Sequence, residues 1–333
     1  MKAAAAALVV CALLFSTSCL RRSSVPAALS DGEFWNLIAA SSEPAGTFDL
    51  SDNFVSNEPR VAENARWLRP AGGVYIGVGP EQNFTYIARV RPSMAFIVDI
   101  RAENRNLHLL YKALFVLSQD RADFVSRLFS RPRPSGLGTN ASVDELFGRY
   151  ANVAASPEQY QTTLQRVRQQ LVTTSGFPLT DGDLDWIARA LKAFYTDGPD
   201  IQFWGSRPVD ADAVRPSYRR LMTMRDFNGQ TRSFLSSEAE FRFVRDLHAR
   251  NMIVPVVGDF GGATAIKRVG DYVREHGGSV HAFYGSNVGV YLNSRQTVAF
   301  CRNLAGLPAS SRAWFIDGEG VQPLSTKLAG CAR

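Results

Sequence analysis

The stretch Gly72 to Arg101, GGVYIGVGPEQNFTYIARVRPSMAFIVDIR, reads as a strand, a glycine turn, a short helix and a second strand closed by a carboxylate. Val74-Tyr75-Ile76 feeds Gly77-Val78-Gly79, and Pro80 stands where a first helical residue belongs. Phe84, Ile87 and Ala88 supply one apolar helix face before Pro92 blocks continuation. Ala95-Phe96-Ile97-Val98 is a β-rich run ending at Asp99, 22 residues after Gly77. That spacing suits a nucleotide-type site. Glycines let a ligand approach the backbone, and a carboxylate on the next strand can accept both ribose hydroxyl hydrogens.

The same alternation returns near the C-terminus. Ile253 to Val257 is a strand ended by Gly258-Asp259, Thr264 to His276 a helix, and Val280 to Tyr284 a strand ended by Gly285-Ser286-Asn287. Arg295 to Leu304 is a further helix, and Ala313 to Ile316 a fifth strand ending at Asp317. Five strands separated by helices predict an α/β fold with an open, mainly parallel sheet. Between its second and third strands the pattern is helical. Leu107, Leu110, Leu114 and Leu117 form one stripe, Thr180 with Asp183 caps a later helix, and Ser237 with Glu240 makes a capping box. Arg131-Pro-Arg-Pro-Ser-Gly-Leu-Gly138 marks a boundary. The expected division is residues 31–131 and 236–333 for the sheet domain and 132–235 for a mainly helical insertion.

The N-terminus reads as an export signal over residues 1–18. Ala3 to Phe15 is a 13-residue apolar run, too short for a membrane span of roughly 20 residues but suited to a signal-peptide core. Ser16-Thr17-Ser18 offers small residues for cleavage before Cys19, which is also placed for lipidation and membrane attachment, with residues 19–30 as a polar tether. The expected location is therefore periplasmic or lipid-anchored to a bacterial membrane. Once the signal is gone, Cys301 and Cys331 remain to pair in an oxidising compartment. No CxxC and no histidine pair at helical ligand spacing accompanies them, so no metal site is expected. The formal charge of +6 is mild. Arg121, Arg127, Arg131 and Arg133 lack interleaved aromatics and read as a solvated face plus linker, not a nucleic-acid surface.

The strand ends present Gly77 and Gly79, Asp99, Asp259, Ser286-Asn287 and Asp317, where open parallel sheets hold ligands. A dinucleotide fingerprint has its third glycine where Gln82 stands, and Glu81 lies at the helix N-terminus. A carboxylate there repels a pyrophosphate, so the residues favour a ligand that is cationic or neutral at this point. A nicotinamide oxidoreductase is disfavoured accordingly. A serine hydrolase is disfavoured too, because position 284 is Tyr where a nucleophile elbow needs glycine.

On these residues the chain resembles class I S-adenosylmethionine-dependent methyltransferases, with a Rossmann-like sheet. More closely it resembles an uncharacterised group of exported bacterial proteins carrying a methyltransferase-like domain. The resemblance implies that Gly77, Gly79 and Glu81 lie at the methionyl portion of the cofactor, that Asp99 binds its ribose, and that Asp259 lies beside adenine. It implies that Tyr284, Ser286 and Asn287 face the methyl acceptor. The acid that the family carries two residues before its first glycine is Tyr75 here, and the family's strands after the fifth have no counterpart in the sixteen residues after Asp317. Two functions follow: methyl transfer from S-adenosylmethionine to an unknown acceptor, or a non-catalytic exported module holding a nucleoside-like or small polar ligand. Residue by residue, Asp99 either binds ligand or caps the following helix, Asp259 binds or shapes a turn, and Asn287 binds or holds its loop. His108 reads as a packed histidine sooner than a general base.

Overall fold

A computed structural model describes residues 25–48, 53–203 and 215–331. The signal segment and Cys19 lie outside these residues. Helices α1 (Asp31–Ser41) and α2 (Val61–Trp67) precede β1 (Val74–Gly77), α3 (Gln82–Val90) and β2 (Met94–Asp99). The chain then turns helical: α4 (Ala102–Leu117), α5 (Arg121–Phe129), α6 (Val143–Ala151), α7 (Pro157–Arg168), α8 (Asp181–Asp197), α9 (Tyr218–Thr223) and α10 (Glu238–Ala249). Strand β3 (Ile253–Val257), α11 (Ala265–Glu275), β4 (Val280–Ser286) and α12 (Ser294–Ala305) follow. Strands β5 (Ala309–Asp317) and β6 (Val321–Pro323) and helix α13 (Leu324–Cys331) complete it.

The six strands form one mixed, mostly parallel sheet in the order β3-β2-β1-β4-β5-β6. Strands β1 to β5 run parallel and β6 pairs antiparallel with β5. The sequence placed the five parallel strands but no strand after Asp317. Three residues suffice for β6, because a turn in which Asp317 Oδ1 accepts from the Glu319 and Gly320 amides folds Val321–Pro323 back on β5. Strands β1, β2 and β3 are buried along their whole length, since helices cover both faces, and they read as continuous apolar runs for that reason. Register sets Gly77 beside Ile97 and Asp99 beside Val257. The polar residues at the strand ends therefore share one edge of the sheet.

Two local expectations change. Helix α3 begins at Gln82, leaving Pro80 and Glu81 in the preceding turn. Ser237 caps α10 without the reciprocal bond, because the Glu240 carboxylate reaches Arg89 and Arg91 at the end of α3.

The arginines read as a solvated face are largely structural. Arg121 is buried and donates to the carbonyls of Leu235, Thr139 and Ala141, and Arg131 donates to those of Tyr150 and Val153. A guanidinium carries five donors, enough to gather carbonyls that loops leave unpaired. Residues 27–30, read as tether, are bonded to the turn after α10: Arg250 donates to Ala27 O, and Leu29 N donates to Arg250 O. Just beyond α1, Glu43 N donates to Val257 O and Ser42 Oγ accepts from Val257 N, along the outer side of β3.

Candidate functional site

A cavity of about 240 Å³ opens at the carboxyl ends of β1 to β4. Val78 and Gly79 after β1, Asp99 at the end of β2, Asp259 after β3 and Ser286 at the end of β4 all line it. The segment from Asn53 to Glu58 closes it from the other side. This is the crevice where strand order reverses between β1 and β4, the usual ligand position in open parallel sheets.

The glycine turn is held from behind. Gly79 has φ +78°, a conformation that a Cβ disfavours. Asn83 Nδ2 donates to the carbonyls of Val78, Gly79 and Pro80, and Tyr75 Oη donates to Asn83 Oδ1. The Gly79 carbonyl also accepts from His108 Nε2 at 2.8 Å. Burial pushes the His108 imidazole down to about 4, so it is neutral at pH 7 and serves as a single donor here. Gly77 has a different reason to be glycine. A Cβ on it meets Asn83 Oδ1 and the Tyr75 ring, so it packs against the clamp and does not line the cavity. The turn thus touches the cavity through Val78, Gly79 and Pro80, not through Gly77.

Glu81 also points elsewhere. It is wholly buried behind the turn, where Ser56 N donates to both its carboxyl oxygens at 3.2 Å. Burial pushes it up to about 8, so it is mostly protonated at neutral pH. The repulsion of pyrophosphate assigned to Glu81 therefore fails on both charge and position. The carboxylates that line the cavity are Glu58, Asp99 and Asp259.

Asp99 is one of them, only 6% exposed. Its Oδ1 accepts from Arg101 N at 3.0 Å and Arg101 Nε at 2.9 Å, and its Oδ2 accepts from Arg101 Nη2 at 3.0 Å. The guanidinium pKa is raised: burial opposes the charge, and the adjoining carboxylate outweighs it. Asp99 thus keeps acceptor capacity mainly at Oδ2. Arg101 in turn lies over Phe48, which meets Tyr291 edge-on at 4.9 Å, and both rings line the cavity.

Asp259 shapes a turn and lines the cavity at once. Its Oδ1 accepts from Gly261 N and its Oδ2 from Gln296 Nε2. The N-terminus of α11 beside it is filled by Glu43, which accepts from Thr264 N, Thr264 Oγ1 and Ala265 N. Those bonds outweigh burial and hold the Glu43 carboxyl below its ordinary value.

The residue that sequence reasoning missed is Glu58, in the polar loop ahead of β1. Its side chain is 5% exposed, and its Oε1 accepts from Tyr284 Oη at 2.9 Å and from Ser286 Oγ. Gln82 Nε2 donates to Tyr284 Oη at 3.1 Å and to Val78 O at 3.1 Å. Burial first, and the nearby Glu58 carboxylate second, push the Tyr284 phenol well above its ordinary value. Tyr284 and Ser286 thus meet around a carboxylate 226 residues from Tyr284 in sequence; Ser286 lines the cavity, and Tyr284, wholly buried, does not. Only a loop-to-strand contact of that range marks Glu58, and no local pattern announces it. Ser286 sits at φ +47°, a strained position for a side chain, costing about 1–3 kcal/mol and typical of binding sites. Asn287 is exposed at the rim.

No curated protein matches the chain. A family model described as a domain of unknown function (DUF7790) matches residues 53–322, which include strands β1 to β5, part of β6 and each of the cavity carboxylates. The chain belongs to the DUF7790 family.

Proposed function

We propose that the cavity binds S-adenosylmethionine and that the protein is a class I methyltransferase-like protein acting on an unknown acceptor. The reading is carried by one observation: Glu58, Asp99 and Asp259 converge with the aromatic rings of Phe48, Phe260 and Tyr291 in a single cavity at the strand ends. Among the described residues, only one guanidinium, that of Arg101, lines the same space. Rings suit a nucleobase, Asp99 Oδ2 suits a ribose hydroxyl, and surplus negative charge suits a sulfonium and an ammonium. The strand order and the antiparallel edge strand support the Rossmann-like reading. Catalysis rests on proximity and orientation, with Ser286 and Asn287 as the candidates that face the acceptor and Tyr284 buried behind them, bonded to Glu58.

Calorimetry with S-adenosylmethionine tests this. The wild type binds, and Asp99→Asn loses about 10- to 100-fold in affinity, the worth of about 1.5–3 kcal/mol for hydrogen bonds to a charged group. Neither heat nor a thermal shift at millimolar cofactor rejects the reading.

The Arg101 clamp favours a second reading, a non-catalytic module for a nucleoside-like or small polar ligand, because it commits much of the Asp99 carboxylate within the chain. Binding without turnover distinguishes the two. We also propose export, with Cys19 as lipid anchor. In support, Cys301 and Cys331 form a disulfide with Cα atoms 5.6 Å apart, a bond kept in oxidising compartments. No helix of the described residues is long and apolar enough to cross a membrane.

A further inference from the structure

The cavity has two ends of different character. Around Asp99 the adjoining Arg101 guanidinium compensates the carboxylate, and around Asp259 a backbone amide and the Gln296 amide donate to both oxygens. Around Glu58 the donors are two neutral hydroxyls, and no described lysine, arginine or histidine pairs with it. Beside it, Gln82 is 3% exposed and lines the cavity, and its Oε1 has no hydrogen-bond partner among the described residues. Its orientation is fixed, because Nε2 must face the Val78 carbonyl and the Tyr284 hydroxyl that donates onward to Glu58. An unpaired amide oxygen and an uncompensated carboxylate therefore meet at one wall, and both are acceptors. A group with several N–H donors and a positive charge satisfies both at once.

We propose that Glu58 and Gln82 form a subsite for a ligand ammonium group, with Tyr284 and Ser286 as the residues that position the Glu58 carboxylate. The subsite deepens the reading above, since S-adenosylmethionine carries such an ammonium. Glu58 reaches the cavity from the loop before β1.

The experiment is a thermal-shift and calorimetric titration of the full chain and of Glu58→Gln and Gln82→Met. The probes are n-butylammonium chloride, n-butanol as its neutral control, S-adenosylmethionine, and 5′-methylthioadenosine, which lacks the ammonium. The wild type is stabilised by n-butylammonium and not by n-butanol, and Glu58→Gln abolishes that shift. S-adenosylmethionine binds Glu58→Gln at least 10-fold more weakly, while 5′-methylthioadenosine binds it as it binds the wild type. Gln82→Met weakens the ammonium probes several-fold and keeps the test open if Glu58→Gln fails to fold. An ammonium shift lost in Glu58→Gln, with no binding of either adenosyl compound, upholds the subsite and rejects the methyltransferase reading. Equal binding of S-adenosylmethionine by wild type and Glu58→Gln, or no response of the wild type to n-butylammonium, overturns the subsite.

Discussion

Asp99 and Arg101 show how a residue legible from its spacing can carry a second duty that the spacing hides. Their two-residue separation closes a bidentate pair within the interior. Asp99→Ala strips a buried guanidinium of that partner, so we expect a loss of about 3–5 kcal/mol in urea unfolding. Asp99→Asn, which keeps an acceptor, loses less, and this is why it is the better probe of binding. Glu81 offers a pH signature. Its folded value near 8 lies above the ordinary 4.5 because it is buried. As pH rises the unfolded chain therefore loses this proton first. The Glu81 contribution is complete below about pH 4.5, declines between about 4.5 and 8, and is gone above. His108 runs the other way. Its folded value near 4 lies below the ordinary 6.5, so its contribution is whole above about 6.5 and is lost as pH falls toward 4. Urea melts of Glu81→Gln at pH 4 and pH 8 test the first point: no gain over wild type at pH 4, and a gain on the order of 3 kcal/mol at pH 8.

At the scale of elements, the strand–turn–helix unit from β1 to β2 was plain in the sequence, and the device that shapes its turn was not. Buried parallel strands advertise themselves as apolar runs because nothing polar can face the covering helices. Asn83 gives no such signal, since an asparagine in a helix looks the same whether it faces solvent or collects three carbonyls. Replacing it with Leu takes the donor from the Pro80 carbonyl and the acceptor from the Tyr75 hydroxyl, while Val78 O keeps Gln82 and Gly79 O keeps His108. We expect about 3 kcal/mol or more of lost stability by chemical denaturation, from the cost of about 1–3 kcal/mol for each buried group left unpaired. Helix α4 was placed from a leucine stripe, yet it is buried nearly all round, because α8 and α10 cover what would otherwise be its outer face. The described part of residues 132–235 was legible as helices. Its close packing against the sheet domain was not, because the arginines and aromatics that join them bond across long stretches of chain.

At the scale of the whole molecule, the Cys301–Cys331 bridge ties α13 to α12 and closes a loop of 30 residues. On the loop-entropy account a closure of this length is worth about 3–4 kcal/mol. Reduction with dithiothreitol, or Cys331→Ser, lowers the melting temperature by several degrees, and the terminal helix becomes the first segment open to proteolysis. The bonds that Ser42 and Glu43 make to Val257 have a consequence of another kind. A long, flat, apolar border strand is a template on which other chains can assemble, and β3 is apolar throughout. The stretch after α1 occupies part of that border, while the opposite border is three residues long and ends in Pro323. A sheet shielded at one margin and cut short at the other gives fibrous self-assembly little to build on.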